Sequence, residues 1–144
     1  MGTTWLYNPL TNEWTSGPPM KEKRKYHSCF YDIETNSVFV AGGVGKEFGV
    51  ETDLETTERL NLDNNVWEST PSLPGPLAYS AGVESKSREY VGFVAGGSMF
   101  SIVEDKVWGL RRKDLNWEEL PQQLKTMRWD HSMVNLAADK VPGC

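Results

Sequence analysis

A beat of three tryptophans limits what this chain can fold into. Trp14, Trp67 and Trp117 stand 53 and 50 residues apart, and each is followed four positions later by a proline: Pro18, Pro71 and Pro121. Gly42-Gly43 and Gly96-Gly97 fall between them, 54 residues apart. A period of about 50 residues marks a chain built from repeated supersecondary units. One such unit cannot bury its own apolar faces, so neighbouring copies must stack.

The copies align segment by segment. The first supplies only a tail, Trp5-Leu6-Tyr7-Asn8-Pro9 through Trp14. The second runs from Arg24-Lys25-Tyr26-His27-Ser28 through Val38-Phe39-Val40-Ala41-Gly42-Gly43 to Trp67. The third repeats it from Leu77 through Phe93-Val94-Ala95-Gly96-Gly97 to Trp117, and a fourth starts at Arg128-Trp129-Asp130-His131-Ser132. The short β-branched and aromatic runs ended by glycine predict buried strands rather than helices. Paired glycines at a strand end allow positive φ and close backbone approach. Thr11-Asn12 and Asp63-Asn64-Asn65 read as turns, and Pro9 should end its strand. No stretch carries a helical period. The expected fold is all-β, with four short antiparallel strands per copy stacked around an axis and each recurring Trp wedged between adjacent sheets. Burial of a Trp removes about 150–250 Å² from water, so Trp14, Trp67 and Trp117 are expected to be structural, as are Gly42, Gly43, Gly96 and Gly97.

These residues carry a resemblance to the kelch repeat family of β-propellers. It rests on Arg24 and His27, the double glycines, the apolar place seven before the Trp, and Trp67 itself; Tyr7-Asn8-Pro9 up to Trp14 is similar to the family's Tyr-Asp-Pro…Trp segment. The resemblance spans residues 3–136. Leu60 and Leu110 replace the usual Tyr, and the third copy has Leu77 and Ser80 in place of Arg and His. It implies an incomplete kelch-type propeller with two full four-stranded blades (24–73 and 77–124), two partial blades (3–20 and 128–136) and an irregular tail (137–144). Propellers use at least four blades of about 50 residues each, so this chain is expected to be a piece of a longer protein or to assemble with further copies.

Composition narrows the partners. Net charge is −5 with a pI of about 5.1, and 38% of residues are hydrophobic. Nothing here favours nucleic acid or an anionic membrane surface, and no apolar run is long enough for a membrane span. Two cysteines, Cys29 and Cys144, are too few for a disulfide framework, and Cys29 in a strand pattern is expected to be a buried free thiol. The start has no signal-peptide pattern and no Asn-x-Ser/Thr acceptor occurs, so a cytoplasmic, intracellular setting is the expectation.

Candidate chemistry is weighed against the repeat. Gly42-Gly43-Val44-Gly45-Lys46 fails as a phosphate loop because Glu47 stands where Ser or Thr should be. His27 and His131, with Ser28, Ser132 and Asp130, hold the ingredients of a nucleophilic triad, yet they recur at matching places, which favours packed or hydrogen-bonded strand residues. No metal-ligand spacing occurs. No catalytic residue, metal ligand or cofactor is expected. The family includes a copper oxidase of sugars with Tyr, His and Cys ligands, and this chain has no such set. The runs Lys21–Lys25 and Arg111–Lys113 read as solvated loops, or else as a basic rim for acidic peptide groups.

The loop from Val44 to Glu55 breaks the period. Gly43 to Trp67 spans 24 residues, whereas Gly97 to Trp117 spans 20. Loops on a rigid scaffold tend to carry function. This one holds Phe48 among acids, and Phe100 sits in its counterpart. These rings either pack beneath their own loops or join Lys25, Tyr26, Tyr79, Arg128 and Trp129 in an aromatic-polar rim of the kind that binding hot spots favour. The function expected from the resemblance is therefore non-catalytic protein–protein recognition, as a substrate adaptor of a ubiquitin ligase or an actin-associated scaffold. A sugar-binding or sugar-oxidising propeller fragment is the alternative from another class, and a truncated product without independent function is the third.

Overall fold

A computed structural model describes residues 2–136. The chain is all-β: fourteen strands form two four-stranded and three two-stranded sheets, all antiparallel, among the described residues. The first copy is a hairpin, β1 (Trp5–Asn8) and β2 (Glu13–Ser16), with Pro9 directly after β1. The second contains β3 (Ser28–Asp32), β4 (Ser37–Ala41), β5 (Val44–Glu47), β6 (Val50–Asp53), β7 (Thr57–Asn61) and β8 (Val66–Thr70). The third matches it with β9 (Ala81–Glu84), β10 (Tyr90–Ala95), β11 (Ser98–Met99), β12 (Ile102–Val103), β13 (Val107–Arg111) and β14 (Trp117–Glu119). Sheet order is β3-β4-β7-β8 in one and β9-β10-β13-β14 in the other. Such stacked four-stranded sheets have the arrangement of partial propeller blades. Residues 137–144, including the expected irregular tail and Cys144, lie outside the described residues.

The tryptophan beat is also a register. Tyr7 lies opposite Trp14, Leu60 opposite Trp67, and Leu110 opposite Trp117, so the apolar place seven before each Trp is its direct cross-strand neighbour. The main core fills the space between the two full sheets. Phe30, Phe39 and Ala41 of one sheet meet Val91, Val94, Trp108, Leu110 and Trp117 of the other, with Leu73 and Leu77 from the connection. Phe30 stacks on Phe39 at 5.5 Å and meets the Trp117 ring edge-on at 6.3 Å. The opposite face of the second copy's sheet holds a smaller cluster, Val40, Leu60 and Trp67 with Met20.

Trp14 departs from the wedge expectation. Trp67 and Trp117 are 6% and 9% exposed, but Trp14 is 65% exposed. The reason is directional. Each Trp packs on the copy that precedes it: Trp117 on Phe30, and Trp67 on Met20, with its Nε1 donating to the Pro18 carbonyl at 3.0 Å. No copy precedes Trp14 among the described residues, and only Tyr7 leans on it at 4.9 Å. The same asymmetry corrects Cys29, which is exposed rather than buried. It faces a groove of about 280 Å³ lined by Trp5, Met20, Val38 and Trp67, on the sheet face that only the β1–β2 hairpin and its connection partly cover.

Three further expectations change. The segment from Val44 to Glu55 is mostly a β-hairpin, β5–β6, standing outside the four-stranded sheet. Arg24 is not solvated. Its guanidinium is buried and donates to the carbonyls of Gly42 (2.7 Å) and Thr56 (2.9 Å) and to Glu58 Oε1 (2.7 Å). Arg112 leaves its expected solvated turn to bind Asp32 of the neighbouring sheet through both carboxylate oxygens, at 3.0 and 3.1 Å.

Burial alone would push the Asp32 carboxyl up, but the Arg112 guanidinium, the Thr35 hydroxyl and the Glu34 N–H outweigh it and hold it below the ordinary carboxylate value. A lowered folded-state pKa contributes stability that is present above the unfolded value, about 3.9 for Asp, and is lost as pH falls through the folded value. Urea unfolding between pH 6 and 2.5 is expected to show this acid loss in the native chain. Asp32→Asn should be less stable at pH 6 and show a shallower decline below pH 4. A decline as steep as the native one would contradict the assignment.

Candidate functional site

Each double glycine is the pivot of one face. Gly42, Gly43, Gly96 and Gly97 all have positive φ, between 61° and 98°. A Cβ on Gly42 would collide with the Leu77 carbonyl oxygen, and one on Gly96 would lie 2.6 Å from the Arg128 carbonyl oxygen. The chain therefore passes directly over the strap that begins the next copy, with Gly43 N–H donating to Leu77 O and Gly97 N–H to Arg128 O, both at 2.8 Å. After each pair the chain enters a small hairpin, and each hairpin is bridged to its own strap at Lys25–Val44 and Ala78–Ser98.

The straps are linked to one another. Tyr79 N–H donates to Tyr26 O, and Asp130 N–H donates to Tyr79 O, both at 2.9 Å. Tyr26, Tyr79 and Asp130 hold equivalent places and share positive φ of 54°, 59° and 48°. For a tyrosine that conformation is strained. Its recurrence at all three straps goes with the strap-to-strap hydrogen bonds.

The side chains of the straps form a row. The Lys25 ammonium lies 5.2 Å from the Tyr26 ring centroid, Tyr26 stacks on Tyr79 at 4.5 Å, and Tyr79 meets Trp129 at 5.9 Å with a 56° tilt. Lys25 also binds Glu51 Oε1 of the β5–β6 hairpin at 2.6 Å. That hydrogen bond raises the Lys25 pKa and lowers that of Glu51. Burial among these groups raises the Tyr79 phenol, and Tyr26 and the carboxylates of Asp130 and Asp53 push it the same way against Lys25.

Of the seven residues expected at a rim, Lys25, Tyr26, Tyr79 and Trp129 come together. Phe48 and Phe100 do not join their row. They occupy the tips of β5–β6 and β11–β12, 98% and 72% exposed, so neither ring packs under its own loop. Each begins a two-residue turn with positive φ at both central places, Phe48-Gly49 and Phe100-Ser101, as a tight hairpin requires. Arg128 lies next to the row but turns its Nε to the Thr126 carbonyl at 3.2 Å. Three acids stand with the row. Glu51 and Asp53 are among the acids around Phe48 in the sequence and Asp130 among the triad ingredients, but the sequence assigns none to the rim; hairpin–strap pairing brings in the first two and the strap ladder the third.

The histidines are half-buried. Their pKa values are lowered by burial first, then by Arg24 for His27 and Arg128 for His131. Among the described residues His27 Nδ1 and both ring nitrogens of His131 have no hydrogen-bond partner, so no hydrogen bond there accounts for these atoms. Ser28 Oγ meets Ser80 Oγ at 2.6 Å, not a histidine. Among the described residues no three His, Cys, Asp or Glu side chains are grouped to hold a metal ion, and no helix is long and apolar enough to cross a membrane.

Comparison with known proteins agrees with the repeat. No family model matches the chain. The kelch repeat and BTB domain-containing protein 12 of Danio rerio is 27% identical over 128 residues, covering 81% of this chain and 20% of that protein. Kelch-like protein 23 of Mus musculus is 34% identical over 74 residues, 51% of this chain and 12% of that protein. An F-box/kelch-repeat protein of Arabidopsis thaliana is 26% identical over 70 residues, 49% and 14% respectively. The chain thus spans a fifth or less of the length of these three relatives. The similarity to several kelch-like proteins is partial and supports a kelch-repeat, propeller-type chain.

Proposed function

We propose that this chain is part of a kelch-type β-propeller whose double-glycine face binds a protein partner without catalysis. The observation that carries the reading is the row Lys25–Tyr26–Tyr79–Trp129, solvent-accessible beside hairpin tips that present Phe48 and Phe100. Exposed aromatic groups on a rigid scaffold add nothing to a core, and they are the residue types that dominate interfaces. In this reading residues 24–73 and 77–124 are full blades, and 3–20 and 128–136 are partial ones. Strands β7 and β13 pair inward with β4 and β10, whereas the inner edge of β1 has no partner among the described residues. Further strands, from flanking sequence or another copy, dock there.

The relatives' names couple kelch repeats to a BTB domain in one case and an F-box in another. By that likeness the chain belongs to a substrate-adaptor or scaffold protein, with recruitment to a ubiquitin ligase or association with actin as the specific roles, in a cytoplasmic setting. The test is direct binding of candidate substrate proteins to the purified chain. Phe48→Ala and Tyr79→Ala are expected to weaken binding about tenfold, equivalent to about 1.4 kcal/mol. Phe48 is fully exposed, so that variant keeps its fold. Ile33→Ala, in an exposed turn at the opposite end of β3 from the strap, should leave binding unchanged. If neither face variant weakens capture, the face is not the interface.

A further inference from the structure

The two full sheets present the same face, and strands cover only one of the two completely. Register fixes the equivalence. Leu60 pairs with Val38 on one side and Trp67 on the other, as Leu110 pairs with Gly92 and Trp117. Cys29 lies opposite Val40, as Gly82 lies opposite Val94. On the third copy, β3 of the second copy lies directly on this face. A Cβ on Gly82 would stand 2.8 Å from the Cys29 carbonyl oxygen, and one on Gly92 would stand 2.5 Å from the Phe30 ring. Glycine at both places is what admits so close a strand with a ring on it.

The same face of the second copy has neither glycine. Cys29 and Val38 each carry a Cβ at the equivalent places. That face opens on the groove of about 280 Å³ lined by Met20, Cys29, Val38, Val40 and Trp67. Beside it runs the inner edge of β1, which has no partner among the described residues, whereas its counterparts β7 and β13 pair inward with β4 and β10. An open strand edge next to an apolar groove is a template for added strands.

We infer that the groove takes the inner strand pair of a preceding blade, and that this pair carries alanine or valine, not an aromatic residue, at the place of Phe30. The inference rests on the propeller reading above, not on the double-glycine face, and names the chemistry of the docking strands. A ring at that place would overlap Val38, and a close-packed interface does not absorb the extra volume. Valine suits a strand and already stands at this place in the later copies. Val83 lies opposite Phe93 as Phe30 lies opposite Phe39, and Val134 follows His131-Ser132-Met133 as Phe30 follows His27-Ser28-Cys29.

The experiment uses the whole 144-residue chain and a labelled peptide of residues 28–41, the β3–β4 hairpin, cyclised so that the hairpin is preformed. Three forms are compared: Phe30 retained, Phe30→Ala and Phe30→Val, all with Cys29→Ser so that only the chain's own thiols react. Anisotropy should show the Ala and Val forms binding about tenfold more tightly than the Phe form. Bound peptide should slow alkylation of the chain's exposed Cys29, read at that residue by mass spectrometry. The chain variant Val38→Gly should raise the affinity of the Phe form about tenfold. If Val38→Gly does not fold, the order of the three peptides on the native chain decides alone. Equal affinity of the Phe and Val forms for the native chain, or no gain for the Phe form in a folded Val38→Gly, overturns the size rule and leaves strand docking in place. No binding by any form at about 1 mM, with Cys29 alkylated at its free rate, overturns the docking of strands here as well.

Discussion

Trp117→Ala is expected to destabilise the chain by about 3–5 kcal/mol, and Trp14→Ala by less than about 0.5 kcal/mol, although the two occupy the same place in the repeat. Trp117 is buried in the core between the sheets, against Phe30 and opposite Leu110. Its removal leaves a cavity that sheet backbones on both sides hold open. Trp14 touches Tyr7 and solvent, and its loss opens no cavity. Urea unfolding of both variants decides the matter, and equal losses would contradict the one-sided packing. Should Trp117→Ala fail to fold, Trp→Phe replacements keep the question open to measurement. Trp117 Nε1 has no hydrogen-bond partner among the described residues, and the Pro71 carbonyl, the counterpart of Pro18, accepts from the Thr57 hydroxyl at 2.8 Å. Trp67 Nε1 has one, the Pro18 carbonyl. Trp67→Phe should therefore lose a hydrogen bond of about 1 kcal/mol that Trp117→Phe does not.

Arg24→Leu is the second large effect, expected at about 3–5 kcal/mol. It strands Glu58 in a site where neither charged side chain reaches water, and it leaves the Gly42 and Thr56 carbonyls without their donor. Such a loss is mostly the cost of the abandoned charge rather than the worth of the pair. The third copy supports this, since it fills the same two places with Leu77 and Trp108, both buried and apolar. Arg24→Leu/Glu58→Leu should accordingly recover at least half of the single variant's loss. Recovery stays partial because Glu58 also accepts the N–H groups of Lys21 and Glu22 at 2.8 and 3.1 Å. Chemical denaturation of the two variants checks it. A double variant no more stable than Arg24→Leu would mean that the ion pair itself, not the stranded carboxylate, holds the strap.

Legibility followed the range of the interactions. The register of Tyr7, Leu60 and Leu110 with their tryptophans was readable because a hairpin pairs residues a few positions apart, and sequence spacing is then a spatial distance. Arg24 and Arg112 were misread as solvated because their partners lie 34 and 80 residues away, Glu58 and Asp32, and a charge run has no mark that tells a buried fork from a wet one. The row at the face was half legible. Tyr26, Tyr79 and Trp129 came from repeat alignment, but Glu51 and Asp53, visible only as acids around Phe48, join through hairpin–strap pairing, and Asp130, visible only as a triad ingredient, joins through the strap ladder. Phe48 and Phe100, read from the sequence either as packed under their loops or as part of that row, stand instead at hairpin tips, because both segments pair into hairpins, the second copy's being four residues longer.

Sequence alone determined that this protein is all-β, that its unit recurs at about 50 residues, and that its tryptophans and glycine pairs mark equivalent places in each unit. Periodicity carries that information because alternation and glycine placement act locally on the backbone. Only the tertiary structure decided which copies of a repeated residue are buried. Trp14, Trp67 and Trp117 are alike in sequence, and Cys29 sits in a strand like its buried neighbours Ser28 and Phe30. Burial of a side chain in a stacked fold is conferred by the next sheet over, and that sheet stands on one side of each residue and not the other.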